Sequence, residues 1–206
     1  MPTIARRSAF FRRTALLSPA PFLAAAAACL TAPPALAQPS EDRGEKDRAY
    51  APSVYVQGEW ARRQTDAITI GATLPWGTWR RPLWGGELRG HWDVSLSRWS
   101  FDGIGGHNSA VVVGVAPTLR LRPDEGRSPW FWEAGIGATV ASHRYRVQDH
   151  EFSTRFNFAS HLGLGRNFGA QRQHELMLSV QHVSNAGIKS PNPGENFLQL
   201  RYALHF

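Results

Sequence analysis

The chain has 206 residues, 23 Lys plus Arg against 16 Asp plus Glu (a formal +7), 42% hydrophobic residues and one cysteine. That length suits one ordinary domain, and eight Trp with eleven Phe are too much apolar surface for a disordered chain. One cysteine excludes an intramolecular disulfide framework or a cysteine-based zinc cluster, and the basic balance points to nucleic acid or an anionic membrane only if it belongs to the working protein.

Much of that charge lies in residues 1–37. Arg6, Arg7, Arg12 and Arg13, with no acid among them, precede a Leu/Ala-rich run from Ala15 to Leu30, and Ala35, Leu36 and Ala37 follow. A positive start, an apolar middle and an A-x-A site describe a removed secretory signal peptide. A transmembrane anchor fits less well, because Pro19, Pro21, Pro33 and Pro34 interrupt the run. Cys29 lacks the upstream leucine of a lipoprotein signal, and Arg12 with Arg13 as a twin-arginine address implies a folded cargo that the rest of the chain does not suit. Removal leaves 169 residues with 19 basic and 16 acidic groups, a net +3 without a thiol. That residue of charge is too small to argue for nucleic acid.

Residues 38–52 are charged, Pro-flanked and aperiodic, as a solvated leader is. From Ser53 onward the recurring pattern is alternation with period two, the mark of half-buried strands. Eight segments carry it, near 53–62, 67–76, 87–97, 109–121, 129–142, 154–166, 173–184 and 196–206. In the third, Leu88, Trp92, Val94 and Leu96 oppose Glu87, Arg89, His91, Asp93, Ser95 and Ser97; in the last, Leu198, Leu200, Tyr202, Leu204 and Phe206 oppose Gln199, Arg201, Ala203 and His205. Turn signals separate the segments, among them GTWRRPLWGG, RPDEGRSP, RNFGAQ and SPNPG.

A lipocalin-like barrel and a sandwich, both soluble, satisfy the same alternation with the apolar face inward. Export, about ten residues per strand and aromatics toward strand ends (Trp60, Trp76, Trp84, Trp99, Trp130, Trp132) favour an eight-stranded antiparallel outer-membrane β-barrel. The alternating strand that ends in Phe206 resembles the C-terminal signal of such barrels. The polar face then turns inward, so Glu59, Glu87, Arg89, Asp93, Glu133, Glu175 and Arg201 pair in a packed lumen. With the N-terminus on the periplasmic side, the segments near 98–108, 143–153 and 185–195 become outer loops.

Parity singles out the seventh segment. His182 and Ser184 share a face with Leu176, Leu178 and Val180, whereas Glu175, Met177, Ser179 and Gln181 face the lumen. Two polar groups thus end a stripe that otherwise meets hydrocarbon, at the level of the outer leaflet. Serine becomes a nucleophile when a base takes its proton, and histidine is the usual base. Asn185, next in sequence, is a candidate donor to the oxyanion. Alone, His-x-Ser is a weak pattern.

The longer string HVSNAGIKSPNPGENF, followed by a terminal aromatic strand, resembles the lipid A 3-O-deacylase (PagL) family at residues 182–206. The resemblance implies an outer-membrane serine esterase that removes the 3-O-linked acyl chain of lipid A in lipopolysaccharide, with no cofactor or metal. It makes His182 the base, Ser184 the nucleophile and Asn185 the oxyanion contributor. The family's Glu falls on Asn196 here, while a Glu stands one residue earlier at Glu195. Parity favours Asn196 as the third member; chemistry favours Glu195, because a carboxylate stabilises imidazolium, and a bulge after Gly194 would turn it outward. Glu195 is the preferred candidate and Asn196 the alternative. A non-enzymatic structural or adhesive barrel is the competing function.

The histidines at 91, 107, 143, 150, 161, 174 and 205 show no metal-ligand spacing, and the glycines at 135, 137, 163, 165 and 169 suit a narrow barrel better than a phosphate loop. Arg144, Arg146 and Lys189, in inferred outer loops, are candidates to meet lipid A phosphates or to be solvated charges. The sequence carries no signature of oligomeric state, a homodimer included.

Overall fold

The computed structural model describes residues 47–206 except Arg63, Ile104, Gln148 and Asp149. The expected signal peptide, Cys29 and the leader up to residue 46 lie outside the described residues. Alternation becomes strand throughout: β1 Ser53–Ala61, β2 Thr65–Leu83, β3 Gly86–Gly103, β4 Gly106–Arg122, β5 Trp130–Ala141, β6 Arg146–Val147, β7 His150–Glu151, β8 Phe156–Phe168, β9 His174–Ser184 and β10 Glu195–His205. Eight of these close a ring in the order β1-β10-β9-β8-β5-β4-β3-β2, and β6 with β7 forms a separate small hairpin. Every pairing in the ring is antiparallel between neighbours, and Ser53 opposite His205 joins the two ends of the chain. Closure satisfies the backbone groups that lipid cannot.

The wall has one apolar side, and it faces out. Ile68, Ile136 and Val180 are 60%, 67% and 57% exposed, in a coat with Val56, Leu96, Val113, Leu162, Leu178 and Leu198. The architecture is therefore the transmembrane barrel and not a soluble sheet with its apolar face buried.

The lumen holds the charges. Arg120 donates from Nε to Glu133 Oε2 at 2.8 Å and from NH1 to Glu175 Oε2 at 2.6 Å. Arg201 NH1 stands 2.9 Å from Asp93 Oδ2, and Tyr55 donates its hydroxyl to Asp93 Oδ1 at 2.7 Å. Glu59 accepts from Gln57 and Thr69. Glu87 and Arg89 pair at 2.6 Å nearer the mouth, with 16% and 28% of their side chains exposed. The space left among Tyr55, Asp93, His161 and Arg201 is about 50 Å³, so side chains fill the lumen as expected for eight strands. Gly165 makes such filling possible: a Cβ there would lie 2.2 Å from the Phe131 ring.

Four expectations are corrected. The segment 98–108 is not a loop; β3 and β4 run on to a tight turn, with Gly103 opposite Gly106. Trp99 belongs to no outer girdle but is buried in the lumen with Phe101, Phe197, Val183 and Tyr145, because its parity is inward. GTWRRPLWGG is mostly strand: β2 and β3 shift register between Pro75 and Arg80, then meet at a two-residue turn of Trp84 and Gly85, whose φ values of 50° and 72° are the positive pair a type I′ turn needs. Residues 47–52 are ordered against the barrel and not wholly solvated. Ala49 is buried, Arg48 N–H donates to Gln171 O at 2.9 Å, and the Tyr50 ring lies 3.7 Å from the Arg89 guanidinium, so this segment packs over the mouth that holds both strand termini.

At the opposite end, the loop 142–155 with its β6–β7 hairpin drops Tyr145 into the barrel. Its ring meets Phe101 at 4.9 Å and Phe152 at 5.1 Å between centroids, and its hydroxyl reaches Thr65 Oγ1 at 2.8 Å.

Replacing Arg120 by Leu leaves Glu133 and Glu175 without their shared cation in a low-dielectric lumen. The expected loss is about 3–5 kcal/mol, read as an earlier midpoint in urea unfolding followed by tryptophan fluorescence.

Candidate active site

The register of three strands assembles the polar cluster. Between β9 and β10, His182 lies opposite Asn196 and Val180 opposite Leu198. Between β8 and β9, Ser160 lies opposite His182, Phe158 opposite Ser184 and Leu162 opposite Val180. All of these point outward by parity, so Ser184, His182, Asn196 and Ser160 form a polar patch on a wall that is otherwise hydrocarbon-facing. A groove on this wall is lined by Trp60, Arg62, Leu162, Val180, His182 and Asn196. Its apolar part is formed by Leu162, Val180 and Leu198, and its polar part by Ser160, His182 and Asn196.

His182 Nδ1 lies 2.8 Å from Asn196 Oδ1. An amide oxygen only accepts, so Nδ1 carries the proton and Nε2 keeps the lone pair. That is the tautomer a general base requires. Ser184 is half-buried and follows His182 by two residues, about 7 Å along a strand. No hydrogen bond joins the two among the described residues, and such contacts commonly tighten only when substrate is bound.

Glu195 does not take the expected outward position. The β9–β10 ladder runs without a bulge from Glu195 opposite Val183, so Glu195 turns inward with Phe197 and Gln199 and is buried. It accepts from Tyr145 Oη at 3.1 Å and from the Asn196 N–H at 3.1 Å. The residue in contact with the imidazole is thus Asn196, the alternative, and not the preferred Glu195. Continuous pairing fixes parity, and parity outweighs the better chemistry of a carboxylate.

Asn185 is corrected as well. Its side chain is buried, and Nδ2 donates to Ser153 Oγ at 2.9 Å and to Lys189 O at 2.7 Å. Its Oδ1 accepts from Gly187 N–H, and its own N–H donates to Asn192 Oδ1, each at 2.9 Å. Every donor of Asn185 is used in shaping the loop 185–194, so it has none to offer an oxyanion. Ala186 N–H, by contrast, has no partner among the described residues, and Ala186 has φ 53°, a strained conformation of the kind found at functional sites.

Among the other candidates, Arg144 and Arg146 turn to Glu151 at 3.4 Å and 2.7 Å, whereas Lys189 is exposed. His91, Asp93 and Glu133 bring possible metal-ligand atoms within 4.8 Å of one another, a grouping that linear spacing hides because it spans two strands. It lies inside the barrel, where Arg201 and Arg120 already face the carboxylates.

The family model described as "Lipid A 3-O-deacylase (PagL)" matches residues 66–205. The chain belongs to this family, one of ester hydrolases. "Lipid A deacylase PagL" of Bordetella bronchiseptica is 34% identical over 131 residues, 60% of this chain and 70% of that protein. The protein of the same description from Pseudomonas aeruginosa is 30% identical over 142 residues, 66% of this chain and 78% of its own length. In three dimensions the chain is similar to the "crystal structure of the outer membrane enzyme PagL", with a TM-score of 0.63 and 26% identity, covering 75% of this chain and 99% of that one.

The structural role of Asn185 has a measurable consequence. Asn185→Ala removes both ties to Ser153 and Lys189, worth about 1–3 kcal/mol for buried donors. Trypsin should then cut after Lys189 about tenfold faster in the folded barrel, a rate followed by mass spectrometry.

Proposed function

We propose that this protein is an outer-membrane serine esterase that removes the 3-O-linked acyl chain of lipid A, with Ser184 as nucleophile, His182 as base and Asn196 as the group that orients His182. The observation that carries the proposal is the 2.8 Å contact of His182 with Asn196 beside Ser184 on a lipid-facing wall. A soluble ester has no reason to meet that surface. A lipid in the same leaflet slides onto it with its acyl chains against Val180, Leu162 and Leu198.

Each residue has a separable task. His182 Nε2 takes the proton of Ser184 Oγ as the oxygen attacks the acyl carbonyl. Ala186 N–H and the side-chain amide of Asn192, whose Oδ1 is held by Asn185, are the donors for the developing oxyanion. On collapse the acyl C–O bond breaks, and His182 returns the proton to the sugar O3. Water, deprotonated by the same imidazole, then attacks the acyl-serine and releases the fatty acid. Asn196 keeps the lone pair on Nε2, the nitrogen that serves as base. It does not neutralise imidazolium, so it supplies orientation without the electrostatic part of a carboxylate.

Lipid A from cells expressing the wild type should lose one 3-hydroxyacyl chain by mass spectrometry, and Ser184→Ala or His182→Ala should leave it intact. Loss of the chain in Ser184→Ala cells rejects the nucleophile. Asn196→Ala should lower the rate of the purified protein about tenfold, and Asn196→Glu should raise it about tenfold, 1.4 kcal/mol in either direction. Glu195→Gln, on the other side of the wall, should stay within about threefold of wild type; a larger loss with folding intact would return Glu195 to the site.

A further inference from the structure

Gly194, the residue before β10, lies between two histidines. Its φ is +66°, a region that disfavours any side chain. A Cβ there would lie 2.6 Å from His182 Cε1 and 3.2 Å from His182 Nε2. The edge of the imidazole that carries the lone pair therefore rests against bare backbone. The carbonyl of this glycine lies 2.7 Å from His150 Nε2, and because a carbonyl only accepts, His150 donates. His150 comes from β7 in the loop 142–155, outside the ring.

We propose that His150 is a positioning residue for the reaction. It clamps the Gly194 carbonyl and thereby fixes the surface that holds His182 Nε2 toward Ser184. This inference rests on the reading of His182 as the base.

The mechanical need is plain. The Nδ1 contact with Asn196 fixes one edge of the His182 ring and leaves it free to pivot about that bond. Gly194 blocks the pivot only while its peptide keeps one orientation, and its backbone is the most permissive in the chain. A donor on its carbonyl removes that freedom. The platform beneath His150 is itself tied down. Val147 pairs with His150 in the β6–β7 hairpin, Arg146 Nε donates to Glu151 at 2.7 Å, and Ser153 Oγ donates to Lys189 O at 2.8 Å. Loop 142–155 thus grips loop 185–194 at Lys189 and again at Gly194, on either side of the turn between β9 and β10.

The test uses the purified full-length protein in detergent, with lipid A in mixed micelles and deacylation followed by mass spectrometry. Heat-dependent gel mobility confirms a folded barrel for each variant. His150→Ala should lower kcat about 10- to 100-fold, the usual effect of misplacing a catalytic group by about an ångström, with KM within about twofold. His150→Gln, which keeps an N–H donor at similar reach, should restore most of the rate. Gly194→Ala should lower kcat at least as far as His150→Ala, and the double variant should be little worse than Gly194→Ala, because both act through one contact. An unchanged kcat in folded His150→Ala, a loss carried by KM alone, or a Gln variant as impaired as Ala overturns the proposal. Ser184→Ala in the same assay separates the two levels: if it is inactive while His150→Ala is not, only the positioning role falls, and if it keeps its activity, the serine reading falls and takes that role with it.

Discussion

A strand in a closed barrel offers each side chain two destinations, lumen or lipid, and continuous pairing assigns them in strict turn. The two faces of the barrel wall follow from that constraint. It puts Arg120, Glu133 and Glu175 in the lumen, where one guanidinium bridges both carboxylates, and leaves Val, Ile and Leu to meet hydrocarbon, which needs no hydrogen bonds. It also decides the chemistry. One step along β10 separates Glu195, inside and held by Tyr145, from Asn196, outside and on His182. The two residues are neighbours in sequence and belong to different solvents.

On the proposed reading of His182, an amide beside it is a compromise suited to this location. A carboxylate on the lipid-facing wall would carry a large desolvation cost until the imidazole became charged. A neutral amide costs far less in the resting state and still selects the Nδ1–H tautomer. Below the polar patch the wall returns at once to Val180, Leu162 and Leu198, so the boundary between water-like and oil-like surroundings runs across the site itself.

Much of this was legible in the sequence because period two survives any rearrangement that keeps the strands. The eight ring strands, the packed polar lumen and the outward face of His182 and Ser184 all follow from parity alone. The errors arose where another rule competed with parity. Glu195 was preferred for its charge although its parity was inward, and Trp99 was placed in a girdle by its position near a strand end although its parity was inward too. What parity cannot supply is long-range contact. Nothing local marks Ser153 as the partner of Asn185, Tyr145 as a plug, or residues 47–52 as a cover for the far mouth, since each depends on where a distant loop folds back. Asn185 was singled out by adjacency to Ser184, and only its hydrogen bonds to Ser153, Gly187, Ile188, Lys189 and Asn192 reveal how it holds the loop.

The groove beside His182 crosses the seam of the ring. Trp60 and Arg62 adjoin β1, whereas His182 and Asn196 belong to β9 and β10, and the first and last strands touch only through the pairing from Ser53 with His205 to Ala61 with Phe197. The β9–β10 hairpin alone already sets His182 beside Asn196, yet without β1 it lacks Trp60 and so one side of the groove. The groove is therefore a property of the closed ring and of no single hairpin within it.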